Sequence, residues 1–323
     1  MTRDHLLDPF DALPHAAPIL SPSKEESAVR LSAYHLGLLL AVLAACGFAA
    51  KAIFAKMAYR YGVDGVTLVT LRLLLVLPLL LLFRLLQTRA RESLSWHDRG
   101  WLVLLGLLGY YLSSLFDFLG LETVSASVER MILCLYPTMT VLLSACLTRT
   151  PISRPTRNAL LLSYGGMALV LLPDLQTVHA PWQGVLFIVA STLTYAVYLT
   201  LSPPVIQRVG SMRFTELALS ISAGAMFVHF ALTRSPGLLL AQPLPVWGYG
   251  VAMALFSTVL PLYALSAAMV RIGAGKSAII GSLGPILTII MSMQLLDEWL
   301  SPVQWGGVVL VLFGIWQVGK RRH

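Results

Sequence analysis

Charge is what this chain has least of. Of its 323 residues 12% are charged and 57% hydrophobic, whereas a soluble domain carries about 25% charged residues. That excludes an ordinary soluble globule and points to a polytopic membrane protein. Cysteine is scarce: Cys46, Cys134 and Cys146 lie in apolar stretches without a CxxC spacing, which argues for packed thiols and against a disulfide framework or zinc site. Only His229 among the histidines falls inside an apolar segment, near its end, and no HExxH is present. Both absences weigh against an intramembrane lipid-modifying enzyme. The first 34 residues contain Pro9, Pro14, Pro18 and Pro22 and lack an apolar signal region, so they are expected to form a disordered cytosolic tail. Gly273-Ala-Gly-Lys-Ser277 resembles the end of a phosphate-binding loop, but Val270 stands where that loop needs glycine and an apolar helix precedes it. No nucleotide, metal or other cofactor is expected. The net charge of +8 belongs to loops between apolar segments, so nucleic acid is not an expected partner.

What the chain does have is long apolar runs. A membrane-spanning helix needs about 20 apolar residues. Ten candidates meet this: 36–58, 65–86, 100–120, 124–147, 157–174, 182–204, 213–233, 246–269, 277–296 and 303–320. With the N-terminus inside, the inner segments hold most of the 23 lysines and arginines, and the outer loops hold Arg60 and Arg234. The positive-inside bias therefore predicts both termini on the cytosolic side of the plasma (inner) membrane.

The chain also repeats itself. Leu121–Leu142, LETVSASVERMILCLYPTMTVL, aligns with Met269–Ile290, MVRIGAGKSAIIGSLGPILTII, 148 residues later. Pro137 falls on Pro285 and Gly166 on Gly314, but Glu129 and Arg130 fall on Ser277 and Ala278. Five segments per half make the second half inverted in the membrane. Loop charge agrees: Arg149, Arg154 and Arg157 follow segment 4, whereas Asp297 and Glu298 follow segment 9. The expected organisation is a tail (1–34), a first half (35–175), and a second half with a short basic C-terminus (176–323). Inverted repeats recur in secondary transporters, with the solute bound between halves near mid-membrane.

At these residues a family resemblance becomes specific. Phe116–Ser144 resembles the fourth-helix region of EamA-type transporters of the drug/metabolite transporter superfamily. Tyr263–Gly314, with Glu298, Gln304 and the glycines of segment 10, resembles that family's repeat. The resemblance covers about residues 36–320. It implies an all-α membrane protein of ten helices in a 5+5 inverted repeat, moving small organic solutes without ATP hydrolysis. Thr150 stands where the second repeat has Glu298, so a gate role for that acidic position holds in one half only.

Candidate functional residues come from charges inside the apolar segments, which cost about 2.5–3.5 kcal/mol each even on insertion scales. Lys51, Arg72, Asp117, Glu129 and Arg130 lie about 3–7 residues from their segments' outer ends, roughly 5–11 Å deep at 1.5 Å per residue. They are expected to form an outer gate or ion-coupling network, with Glu129 as the proton carrier if transport is proton-coupled. Snorkelling of the long cations to the headgroups is the alternative. Successive helical residues diverge by about 100°, so Glu129 and Arg130 must meet different neighbours. Pro137 and Pro285 each remove a backbone donor and are read as paired hinges or static kinks. Near mid-membrane Tyr110, Tyr111, Ser113, Ser114, Tyr136, Tyr195, Tyr198, Ser257, Thr258, Tyr263 and Ser282 sketch a lining for an amphipathic solute: an amino acid, a metabolite or a drug-like compound. Release is expected to be controlled by the outer charged cluster and the inner loop at Arg271 and Lys276. Gly165, Gly166, Gly306, Gly307 and Gly314 permit close helix approach, within the bundle or, as the minority reading, between two copies in a homodimer. A non-transporting membrane subunit remains the other reading.

Overall fold

The structure is a computed structural model that describes residues 24–85, 94–149, 151–175, 182–281 and 283–319. It is all-helical, with no strand among the described residues. In order come α1 (Lys24–Tyr59), α2 (Gly65–Leu85) and α3 (Trp96–Gly106), which runs through a π-turn at Leu107–Leu112 into α4 (Ser113–Leu121). Then follow α5 (Ala126–Leu133), α6 (Tyr136–Thr148) and α7 (Arg154–Leu175). The second half has α8 (Trp182–Leu201), the short α9 (Pro203–Val209), α10 (Ser211–Thr233) and the single turn α11 (Gly237–Leu240). It continues with α12 (Leu244–Ala254), a π-turn at Leu255–Val259, α13 (Leu260–Ile272), α14 (Ala274–Gly281), α15 (Gly284–Leu295) and α16 (Pro302–Gly319). Among the described residues seven helical stretches are long and apolar enough to cross a membrane, and Gly284–Leu295 and Pro302–Gln317 are shorter apolar helices. The first helix begins at Lys24, inside the stretch expected as tail; residues 1–23 lie outside those described.

Backbone irregularities repeat at the 148-residue offset. The π-turns begin at Leu107 and Leu255. Left-handed residues close two helices, Arg149 (φ 52°) after α6 and Asp297 (φ 59°) after α15. Gly62 (φ 78°) and Gly210 (φ 87°) are another such pair. At each proline helix the same turn interrupts the ladder: Leu135 N–H donates to Ile132 O, and Leu283 N–H to Ile280 O, both at 3.0 Å. Pro137 and Pro285 thus sit in the first turn of α6 and α15, where a missing N–H costs nothing.

Helix pairing follows the same exchange of halves. α1 packs on α13 and α15, and its counterpart α8 packs on α4 and α6. The pairs α2–α10 and α7–α16 map onto themselves. Glycine makes the last approach close. A Cβ on Gly166 would lie 2.7 Å from Gly307 O, and one on Gly307 2.5 Å from Gly166 O. Gly314 abuts Ser163 and Ala159 in the same way, whereas Gly165 and Gly306 have nothing within 4 Å. The glycine signal therefore divides: three of the five serve packing within the bundle and two do not.

Candidate functional site

Three helices converge on one lysine. Lys51, on α1, donates to Asp117 Oδ2 on α4 and, at 3.1 Å, to Glu129 Oε1 on α5. The Glu129 side chain is fully buried, and those of Asp117 and Lys51 are 6% and 17% exposed. Ser125 caps α5, accepting from Val128 N–H, and this fixes the turn that turns Glu129 toward α1. Asp117 Oδ1 and Glu129 Oε2 have no hydrogen-bond partner. Arg72, on α2, approaches the same region differently. Its Nη2 donates to Ser114 Oγ at 3.1 Å, and its guanidinium stands 5.0 Å over the Phe118 ring. The matching positions of the second half are neutral and locally satisfied. Ser277 bonds back to Gly273 O and Ser220 to Glu216 O.

Arg130 goes elsewhere. A Cβ on Gly284 would lie 2.5 Å from its Nη2, so the guanidinium rests against the interruption between α14 and α15. Among the described residues it has no ion-pair partner, and its buried Nε has no acceptor. Beside it runs an aromatic chain. Tyr136 meets Tyr195 edge-on at 5.5 Å, Tyr195 stacks on Tyr198 at 5.5 Å, and Tyr110 meets Tyr198 edge-on at 5.4 Å.

The end of the bundle at Tyr59 and Glu298 is tied by polar contacts between elements. Glu298 Oε2 accepts from Ala126 N–H (2.9 Å) and Ser127 N–H (3.4 Å), capping α5 from the other half. An anion there complements the α5 dipole. Lys56 donates to Leu121 O and Val124 O, Tyr59 to Phe118 O, and Gly65 N–H to Glu122 Oε1. Ser127 and Ser292 share a buried hydroxyl pair at 2.5 Å. A cleft of about 310 Å³ lined by Lys56, Tyr59, Arg60, Leu296 and Glu298 opens at this acidic end. At the basic end the counterparts of Lys56, Tyr59 and Glu122 are Pro204, Gln207 and Val270, which cannot repeat those contacts.

The remaining predicted residues separate. Tyr111 leaves the other tyrosines and bonds His229 Nδ1 at 2.6 Å, while Ser114 serves Arg72. Ser113 pairs with Ser191, Thr258 bonds back to Met253 O, and the buried Ser257 hydroxyl has no partner. Arg271 donates to Ala267 O on its own helix, and Lys276 lies 4.7 Å over the Tyr34 ring. Ser282 and Thr150 lie outside the described residues.

Sequence reasoning passed over Glu216, a buried carboxylate on α10 that accepts from Tyr263 at 2.9 Å. Its signal was available, an acidic residue in an apolar segment, but it lies near the basic end, where charges were assigned to topology. Lys56 was missed for the matching reason at the other end. Among the described residues no group of three His, Cys, Asp or Glu could hold a metal ion.

Comparison with known proteins places this geometry. Residues 35–172 and 182–319 each match the EamA-like transporter family. An uncharacterized transporter of Bacillus subtilis (strain 168), YcbK, is 31% identical over 301 residues, covering 91% of this chain and 96% of its own. An uncharacterized transporter of Synechocystis sp., sll0355, is 28% identical over 271 residues, covering 79% of this chain and 81% of its own. A solved crystal structure shares the fold with a TM-score of 0.59 at 16% identity, over 89% of this chain and 96% of that one. With two copies of the family domain on a multi-pass helical scaffold, the chain belongs to the EamA-like transporter family.

Proposed function

We propose that this protein is a ten-helix secondary transporter of the plasma membrane, both termini cytosolic, that moves a small organic solute by alternating access between two inverted five-helix halves. The exchange of halves supports the inversion: helix pairs, π-turns, left-handed helix ends and proline interruptions all recur at one offset. In this reading the acidic end faces outward and the conformation is closed there. Glu298, Lys56 and Tyr59 tie helices that must part for the solute to pass.

The observation that carries the reading is the Lys51 junction. It joins α1, α4 and α5 through side chains alone, so it can open without breaking backbone ladders. Two carboxylates flank one ammonium, and a proton taken up on Glu129 would leave Lys51 held by Asp117 alone. That makes proton coupling through Glu129 the specific form of the proposal. The test is solute uptake by proteoliposomes across amino acids, nucleosides, organic acids and quaternary amines, with and without an imposed pH gradient. Movement faster than in empty liposomes supports transport, and its dependence on the gradient supports coupling. Glu129→Gln should abolish the gradient dependence; unchanged flux and pH response would make Glu129 structural.

A further inference from the structure

Resting on the transport reading, we propose that Arg130 is the anchor for a carboxylate on the transported solute, and that Tyr136 and Tyr195 receive the solute's aromatic or branched apolar body. Charge inventory leads there. Lys51 holds Asp117 and Glu129, and Arg72 is taken up by Ser114 and the Phe118 ring. Three cations against two anions leave one positive charge over, and Arg130 is the one that turns away from the Lys51 junction, to Gly284.

An uncompensated cation inside an apolar segment is costly. Arg130 therefore needs either water or an anion. Its guanidinium is a planar fork that matches a carboxylate in two parallel hydrogen bonds, which a lysine could not supply. The surroundings have room and the right chemistry. Gly284 lets the guanidinium lie flat against the helix interruption, and Gly281 one turn earlier has nothing within 4 Å of its Cβ direction. Tyr136 is 39% exposed yet touches Tyr195, so an apolar face stands open beside the cation. Both tyrosines lie within electrostatic range of Arg130.

The same layout disfavours a plain cation, which would meet Arg130 head-on. The geometry therefore selects organic anions such as aryl and branched-chain carboxylates or N-acylated amino acids.

The experiment uses full-length protein in detergent micelles and reads the ligand-dependent rise in melting temperature. The probes are N-acetyl-L-phenylalanine with a panel of aryl and branched-chain carboxylates, N-acetyl-L-phenylalaninamide as the neutral match, and phenethyltrimethylammonium as the cation. Carboxylates should raise the melting temperature and the amide and ammonium should not. Arg130→Gln should weaken carboxylate binding at least tenfold, and Arg130→Lys should weaken it less. Gly284→Ala keeps the charge but displaces the guanidinium, and should also weaken binding; it holds the test open if the Arg130 variants fail to fold. Equal stabilisation by amide or ammonium, no carboxylate-dependent shift, or an unchanged shift in Arg130→Gln or Gly284→Ala would overturn the proposal. In the proteoliposome panel, flux of neutral or cationic solutes but not carboxylates would refute the anchor and leave transport standing. Absence of any flux would refute transport itself.

Discussion

Lys51 is the residue on which removal and replacement should differ most. Taking away its ammonium leaves Asp117 and Glu129 buried without compensation, whereas removing all three charges leaves none. Breaking a buried ion pair on one side costs about 3–5 kcal/mol, and replacing the whole set with neutral groups is often close to neutral. Lys51→Met should therefore lower the melting temperature markedly, and the triple variant with Asp117→Asn and Glu129→Gln should recover most of it. Thermal denaturation in detergent checks this, and a triple variant no more stable than Lys51→Met would show that the junction is not the stabilising unit. Glu129 and Lys51 were legible as charges in apolar runs. Their partnership was not, because sequence depth puts five charges on one level while helix azimuth decides which meet. The roughly 100° step between neighbours requires Glu129 and Arg130 to diverge, and only the packing of α5 between α1 and α15 shows toward what.

At the scale of elements, adjacent glycines should behave oppositely. A Cβ on Gly166 meets backbone of α16 at 2.7 and 2.8 Å, while Gly165 faces open space. Gly166→Ala should destabilise by about 1–3 kcal/mol through overpacking. Gly165→Ala should be neutral or stabilise by up to about 1 kcal/mol by raising helix propensity. Equal effects would mean that α7 and α16 do not cross at this point. Loss of the Glu298 cap should cost about 0.5–2 kcal/mol and loosen the acidic end. With Glu298→Ala, a cysteine placed at buried Ser127 should react faster with a membrane-impermeant thiol reagent, and an unchanged rate would mean that Glu298 does not hold that end closed. The proline interruptions were legible because proline dictates its own geometry. The π-turns were not: Leu107–Leu112 and Leu255–Val259 look like continuous apolar helix, since one extra residue per turn leaves no compositional mark.

For the whole molecule, the repeat could be read from the 148-residue offset, and loop charge, which membrane insertion acts on in short loops, is the ground on which its inversion is proposed. The tie across the acidic end could not, because it depends on Glu298 of one half reaching the α5 N-terminus of the other. In the proposed transport cycle those contacts form in one conformation and part in another. The most direct measurement is solute flux into proteoliposomes reconstituted with the full chain, with and without a pH gradient, for the native protein and for Glu129→Gln. The account predicts that the native protein moves at least one organic solute faster than empty liposomes do, that the gradient accelerates this flux, and that Glu129→Gln loses the acceleration. No protein-dependent flux of any solute in the panel would contradict the account.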